Sequence, residues 1–432
     1  MPRKNLVIFT LAIFLAAMGV GRAFTPDRYA KEKRTFDRIF DEVFENYVTE
    51  PNGAKLYQGA YRGMLGTLDP YSQYFNQTES ASFNAETEGE FGGIGVEISL
   101  REGLLTVVTP IRGTPAYEAG ILPGDMILKV DGKSTERITL EEAVKQMRGK
   151  VGSQIVLTIR HLGAPTDVTV TLTRALIKPA SVEWEMVDPA NGIALIRVSS
   201  FTAKVIDEMN EAVKAVQEQK ARALILDLRG NPGGLLDKAV EMADLFVADG
   251  VIVSIKGRNP AKNVVFRARK GGPLEEMRTV VLVDEGSASA SEIVAAALKD
   301  HQRAMLVGTR TYGKGSVQNV IPLGDGESLK LTTAKYYRPS DKPIEDRQGI
   351  LPDVYVPMTR EMLIALRNQE REDKLRGAWK LSGQIEEDEK APPATGEAAG
   401  PDAKEGLDRR GRVADYQLKA ALNMLRWQLA AK

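Results

Sequence analysis

Between residues 26 and 87 apolar side chains recur at helical spacing. In DRYAKEKRTFDRIFDEVFENYV, Tyr29, Phe36, Ile39, Phe40, Val43 and Phe44 fall on one stripe, and KLYQGAYRGMLGTL carries a second helical run ending near Asp69-Pro70. Such a pair of amphipathic helices suits packing or a dimer contact. Near residue 88 the texture changes to short β-rich runs broken by Gly, Pro and Asp turns. They extend from GEFGGIGVEISLREGLLTVVTPI to QIVLTIRHLGAPTDVTVTLTR, with one helix, TLEEAVKQMR (139–148), between them. Residues 88–175 therefore read as a separate, partly open β-barrel module. From 176 to 360 strands and helices alternate. GIALIRVSS, ARALILDLR, TVVLVDE and AMLVGTR are buried-strand runs, and AKVIDEMNEAVKAVQEQK, LLDKAVEMADLFVADG and ASEIVAAALKD are helices. Near-continuous Val/Ile/Leu strands alternating with striped helices argue an α/β layer architecture.

The two ends differ from the body. Arg3 and Lys4 precede the charge-free run LVIFTLAIFLAAMGV (6–20), a positive flank followed by an apolar stretch of signal-peptide length. It is short against the ~20 residues of a spanning helix, and GRAF offers no clear cleavage site, so for residues 1–24 a removed signal and a retained anchor both stay open. Beyond 361 a charged helix leads into EEDEKAPPATGEAAGPDAKEG (386–406), whose composition predicts a disordered linker. The closing VADYQLKAALNMLRWQLAAK reads as an amphipathic helix docking back on the body.

Composition narrows the chemistry. Lys+Arg and Asp+Glu are both 58, which gives nucleic acid no electrostatic footprint. Without cysteine there is no thiol nucleophile, disulfide or thiolate metal site. The two histidines, His161 and His301, do not form the H-E-x-x-H of a zinc peptidase. GTRTYGKGSVQ (308–318) imitates a phosphate-binding loop, but Gly315 stands where Ser or Thr would hold magnesium, and a β-rich run stopped by Pro322 replaces the helix.

What remains is a serine site. In VVLVDEGSASASEIVAAALKD (280–300) a buried strand delivers Ser287, Ser289 and Ser291 to a helix start, where free backbone N–H groups could hold an oxyanion. Capping is the competing use of such serines. A second strand-to-helix turn, DLRGNPGG, sets Gly233 and Gly234 at another helix start, either as a tight connection or as oxyanion donors. A nucleophilic serine needs a base. His301 is one candidate. Lys314, in the turn TYGKGSVQ, is another if it is neutral, which means moving a lysine from ~10.4 to around 7 at a cost of about 4 kcal/mol, supplied by apolar burial. Gln318 could orient its amine.

GSASASEI, Lys314 in TYGKGSVQ 25 residues beyond Ser289, and the preceding DLRGNPGG together resemble the carboxyl-terminal processing peptidases, or tail-specific proteases, over residues 26–360. The resemblance implies a crotonase-like α/β core with an inserted PDZ domain and helical N- and C-terminal parts. It implies Ser289 as nucleophile, Lys314 as general base, Gln318 as its orienting partner, and Asp300 in a supporting role. Gly233 or Gly234 with Ala290 would form the oxyanion hole. FGGIGVEI and YEAGILPGDMILKVDGKS resemble a PDZ domain, so that Gly93, Ile94, Gly95 and Val96 would receive a substrate's C-terminal carboxylate and the peptide would add as a strand. The resemblance implies no metal or organic cofactor, and protein or peptide substrates with free C-termini. The charged flank and apolar run at the N-terminus argue an exported, periplasmic or extracytoplasmic setting with membrane anchoring open, and the N-terminal helices leave room for a homodimer. Two other readings stand beside it: a silent PDZ scaffold that only binds tails, and a crotonase-like acyl-CoA enzyme.

Overall fold

The computed structural model describes residues 28–431 except 102, 112, 162–163, 345–347, 360–361, 363–364, 367–368 and 371–412. The expected signal or anchor (1–24) and linker (386–406) lie outside the described residues. Among the described residues no helix is long and apolar enough to cross a membrane.

The chain divides into two compact units at Tyr74. The first contains α1 (Ala30–Asn46) and α2 (Gly53–Gly66), the latter capped by Asn52, whose side chain accepts the Lys55 N–H. Phe40 stacks on Tyr57 with ring centroids 4.4 Å apart, and α1 buries none of its residues. The boundary at Tyr74 departs from the expected helical region of 26–87. A third helix, α3 (Gln77–Glu88), belongs to the second unit.

In that unit the β-module, expected to be a PDZ domain, leaves the core along β1 (Phe91–Gly93). The antiparallel strands β2 (Val96–Arg101), β3 (Leu104–Pro110), β4 (Met126–Val130), β5 (Gln154–Arg160) and β6 (Asp167–Thr173) follow, with a two-residue strand, Lys133–Ser134, paired on β4. They pair in the order β2-β3-β4-β5-β6, with α4 (Leu140–Met147) between β4 and β5 in the chain. Alternation explains the sheet: Ile155, Leu157 and Ile159 of β5 point into a core with Leu105, Val107 and Ile127, while the residues between them do not. The module returns along β7 (Ala175–Ile177), which pairs antiparallel with β1.

The sheet of the α/β core has the order β8-β9-β10-β13-β14-β17. Its strands are β8 (Val182–Asp188), β9 (Ile193–Val198), β10 (Ala223–Asp227), β13 (Arg278–Val283), β14 (Ala304–Gly308) and β17 (Val354–Tyr355). β8 is antiparallel to β9 and the remaining pairs are parallel. A second, antiparallel sheet contains β11 (Val251–Gly257), β12 (Val264–Arg267), β15 (Ser316–Gly324) and β16 (Glu327–Tyr337). α3 sits on this sheet through a Ser80–Ser328 hydroxyl bond of 3.0 Å and Lys330 over the Phe83 ring, which is why it groups with the core.

Because β9, β10, β13 and β14 are apolar on both faces, both must be covered. On one side lie α5 (Val205–Glu218), α6 (Leu236–Asp244) and α7 (Ala290–Asp300). On the other, α8 (Tyr416–Ala430) docks Leu418, Ala421, Leu422 and Leu425 against Leu195, Ile225, Leu282 and Val307. The C-terminal helix thus completes the sandwich.

Candidate active site

Two strand-to-helix turns meet above the carboxyl ends of β10 and β13, where open α/β sheets place ligands. In the first, the Asn231 side chain organises the backbone. Its amide donates to the Val198 carbonyl at 2.8 Å and its Oδ1 accepts the Gly233 N–H at 2.9 Å. In the second, two of the three serines are committed to holding the turns together. Ser287 Oγ donates to the Leu228 carbonyl at 2.8 Å, and Ser291 Oγ donates to the Asn231 carbonyl at 3.0 Å. Both are fully buried. Ser289 stands between them at the start of α7, with φ 54° and ψ −110°, outside the regions ordinary residues prefer. A backbone held this way in a packed turn is typical of functional strain.

Lys314 reaches this turn through a residue the sequence reading missed. Glu292, three positions beyond Ser289, is completely buried. Its Oε2 accepts the Ser289 N–H at 2.9 Å and the Lys314 N–H at 2.8 Å. Its Oε1 accepts the Thr311 hydroxyl at 2.6 Å and the Gly313 N–H at 2.7 Å. The Tyr312 N–H adds a bond to the Ser287 carbonyl at 3.0 Å. One carboxylate therefore stitches the serine turn to the lysine loop, and the two backbone nitrogens are closer together than the sum of their bonds to Oε2. Burial pushes the Lys314 ammonium below the ordinary lysine value. Lys330 pushes the same way and the Glu292 charge opposes both. Gln318, on β15, donates its side-chain amide to Ser316 Oγ at 2.9 Å and Thr332 Oγ1 at 3.2 Å.

Gly233, at φ 104°, lies directly against the serine. A Cβ there would come within 2.9 Å of Ser289 Cβ and 3.0 Å of the Ala290 nitrogen. At Gly234 a Cβ would strike the Phe201 carbonyl oxygen at 2.3 Å. Both positions of this turn need glycine for space as well as conformation.

Asp300 is not part of this cluster. It ends α7, 11 residues and about 16 Å from the Ser289 end of the helix, where it binds Arg338 and Ser340. His301 shares that far end and bonds the Val251 carbonyl through Nε2 at 2.7 Å. His161 bonds Asp125 at 2.9 Å inside the PDZ module. Neither histidine is placed to serve Ser289. No cluster of metal-binding side chains occurs among the described residues.

In the PDZ module Gly93 closes β1, Ile94 is buried and Val96 opens β2. The loop's carbonyls are engaged inward. Ile94 accepts the Ala116 N–H at 2.9 Å, and Gly95 accepts the Ile111 N–H at 2.9 Å and Thr114 Oγ1 at 3.1 Å. Gly95 has φ 77°, and a Cβ there would meet Thr114 at 2.4 Å. Beyond the loop, β2 is the sheet's edge strand, and α4 packs beside it.

Comparison with known proteins decides the lineage. A carboxy-terminal-processing protease of Bartonella bacilliformis is 38% identical over 435 residues, covering 99% of this chain and 96% of that one. This chain belongs to the carboxy-terminal processing protease family. The carboxy-terminal processing protease CtpA of Bacillus subtilis is 37% identical, covering 74% of this chain and 68% of that protein. The descriptions that match are peptidase family S41 over residues 192–356, a PDZ domain over 106–161, and the N-terminal domain of the activating protease CtpB over 22–79. Among solved structures, an S41 protease from Bacteroides fragilis superposes with a TM-score of 0.51 at 16% identity, covering 79% of this chain and 95% of that one, a likeness of fold. The chain is thus an α/β peptidase with a PDZ module, and the clustered serine turn, glycine turn and lysine loop lie within its peptidase region.

Proposed function

We propose that this chain is a serine peptidase that reads the C-terminal tail of a protein through its PDZ domain and cleaves near that end with a Ser289–Lys314 pair on a crotonase-like core. The observation that carries the reading is the buried Glu292 carboxylate, which accepts the backbone N–H of both residues. Uncharged Lys314 takes the proton from Ser289 Oγ as the oxygen attacks the scissile carbonyl. The oxyanion that forms is held by the Ala290 N–H, at the start of α7, and by the glycine turn. Because the Gly233 N–H is held by Asn231, the assignment falls first on Gly234, with Gly233 joining on release. Collapse of the tetrahedral intermediate passes the proton from Lys314 to the departing amine and leaves an ester on Ser289. Water then attacks that ester, with Lys314 again taking the proton, and regenerates the hydroxyl. Gln318, four residues from Lys314 on a rigid strand, is assigned to orient the amine. The tail carboxylate is assigned to the Gly93–Val96 loop, with the peptide strand added to the free edge of β2 beside α4.

The apolar run 6–20 behind Arg3 and Lys4 supports export, and the exposed aromatic residues of α1 support a homodimer. The test incubates wild type, Ser289→Ala and Lys314→Ala with a disordered substrate carrying a free or an amidated C-terminus, and reads products by mass spectrometry. Cleavage by wild type alone, weakened by amidation, is expected. Fragments from Ser289→Ala at the wild-type rate would remove the proposal.

A further inference from the structure

We propose that Lys204 is a positioning residue, through which occupancy of the PDZ groove sets the glycine turn beside Ser289. This rests on the reading that the PDZ module binds tails.

The stalk strands β1 and β7 are tied to the groove at one end. Arg174, which immediately precedes β7, closes the C-terminus of α4. Its Nε donates to the Met147 carbonyl at 3.0 Å and its Nη2 to the Gln146 carbonyl at 2.9 Å. The Gly149 N–H donates to the Gly92 carbonyl of β1 at 3.0 Å, and a Cβ on Gly92 would meet the Gly149 oxygen at 2.1 Å. A peptide wedged between β2 and α4 cannot shift α4 without loading both stalk strands.

The other end of the stalk presses on the core. Gly89, at φ 76°, packs so tightly on Thr202 that a Cβ there would fall 2.8 Å from Cγ2. Glu90, largely buried, binds both Lys178, at 2.8 Å, and Lys204. Lys178 follows the return strand, whereas Lys204 belongs to the core at the start of α5. The Lys204–Glu90 pair is therefore the polar joint between stalk and core.

Three residues before Lys204, the backbone of Phe201 grips the glycine turn. Its N–H donates to the Gly233 carbonyl at 2.9 Å and its carbonyl accepts the Leu235 N–H at 2.8 Å. Ser200 Oγ also donates to the Gly233 carbonyl, at 3.2 Å. Groove, stalk, the 200–204 segment and the turn against Ser289 thus form one continuous set of contacts, tight at Gly92 and Gly89 and partly exposed at the Lys204–Glu90 pair. A partly exposed ion pair contributes modestly by itself, so the coupling expected of Lys204 sits near fivefold, the low end for linked sites.

The experiment compares kcat and KM for one peptide made with a free and with an amidated C-terminus, using wild type, Lys204→Met, Lys204→Arg, Glu90→Gln and the double variant. Tail-peptide affinity is titrated separately in a Ser289→Ala background. Lys204→Met should reduce the free-acid preference about fivefold, through kcat, with KM and tail affinity within about twofold. Lys204→Arg should restore it, and Glu90→Gln added to Lys204→Met should cost no more than either alone. An undiminished preference in Lys204→Met, or a loss that Lys204→Arg cannot restore, overturns the coupling. A wild type indifferent to amidation overturns the tail-reading itself, and the coupling with it, which separates the two failures.

Discussion

The Thr311 hydroxyl donates to the Glu292 carboxylate at 2.6 Å, inside a site where all four hydrogen-bonding partners of that carboxylate are donors. Three are backbone N–H groups and cannot reverse. Glutamine is therefore not a conservative replacement: one face of its amide would direct N–H groups at N–H groups. Leaving a buried donor unmet costs roughly 1–3 kcal/mol. Glu292→Gln and Glu292→Ala are each expected to lower kcat by about a hundredfold, with a fall in Tm, because the Ser289 and Lys314 loops lose their common anchor. Steady-state kinetics with a thermal melt checks this, and wild-type kcat in a folded Glu292→Gln protein would refute it.

Gly233 separates space from conformation. Alanine there must adopt φ 104° and place its methyl 2.9 Å from Ser289 Cβ. The strain alone is worth roughly 1–3 kcal/mol. Gly233→Ala should lose about a hundredfold or more in kcat while tail-peptide affinity changes by no more than the roughly fivefold coupling between groove and turn. Parallel turnover and binding measurements distinguish a damaged site from a misfolded protein.

Much of this was legible in the chain. Buried strands, the β-module and a C-terminal helix with Leu418, Leu422 and Leu425 at helical spacing all announce themselves by period. The serine and lysine turns could be singled out because cysteine is absent and histidine scarce. Glu292 stood in plain view, three residues past a serine at a helix start, where an acidic residue ordinarily reads as half of a capping box. Its link to Thr311, Gly313 and Lys314 is long-range and leaves no local pattern. Asp300 entered through the resemblance alone, and its contacts with Arg338 and Ser340 are likewise long-range. The 11 residues of α7 carry it to the opposite end of the helix from Ser289. The first boundary shifted because α3 lacks a strong apolar stripe and takes its place from contacts with β16 that only folding brings about.

Arg229 and Asp415, 186 residues apart, meet at 2.9 Å. Arg229 also binds Asp227, and burial alone would raise the carboxyl of Asp227. The Arg229 and Arg197 guanidiniums instead hold it well below the usual carboxylate range. Asp415 has a second task, accepting the Leu418 N–H at 3.0 Å as the cap of α8. Asp415→Ala removes cap and charged bond together, roughly 2–4 kcal/mol, whereas Asp415→Asn keeps the cap and should cost about half as much. Urea titrations of the two variants should rank in that order. Equal losses would mean that the charge on Asp415 accounts for the whole effect and its cap of α8 contributes nothing.

Lys314 makes activity and stability respond to pH in linked ways. Its folded value lies below the ordinary one, so between the two the folded chain holds fewer protons than the unfolded chain, and this group's contribution to stability rises with pH. Below the lowered value the cost of burying the charge is felt in full. Lys314→Met should therefore raise Tm most on the acid side, with the gain fading as pH climbs toward the ordinary lysine value. Activity follows the same proton. Wild-type kcat/KM should increase with pH as Lys314 loses its charge, levelling off below ~10.4, and Lys314→Met should retain less than about a thousandth of wild-type turnover throughout. A pH-independent rate, together with a melting difference that does not change with pH, would show that the Lys314 ammonium is not the group that titrates.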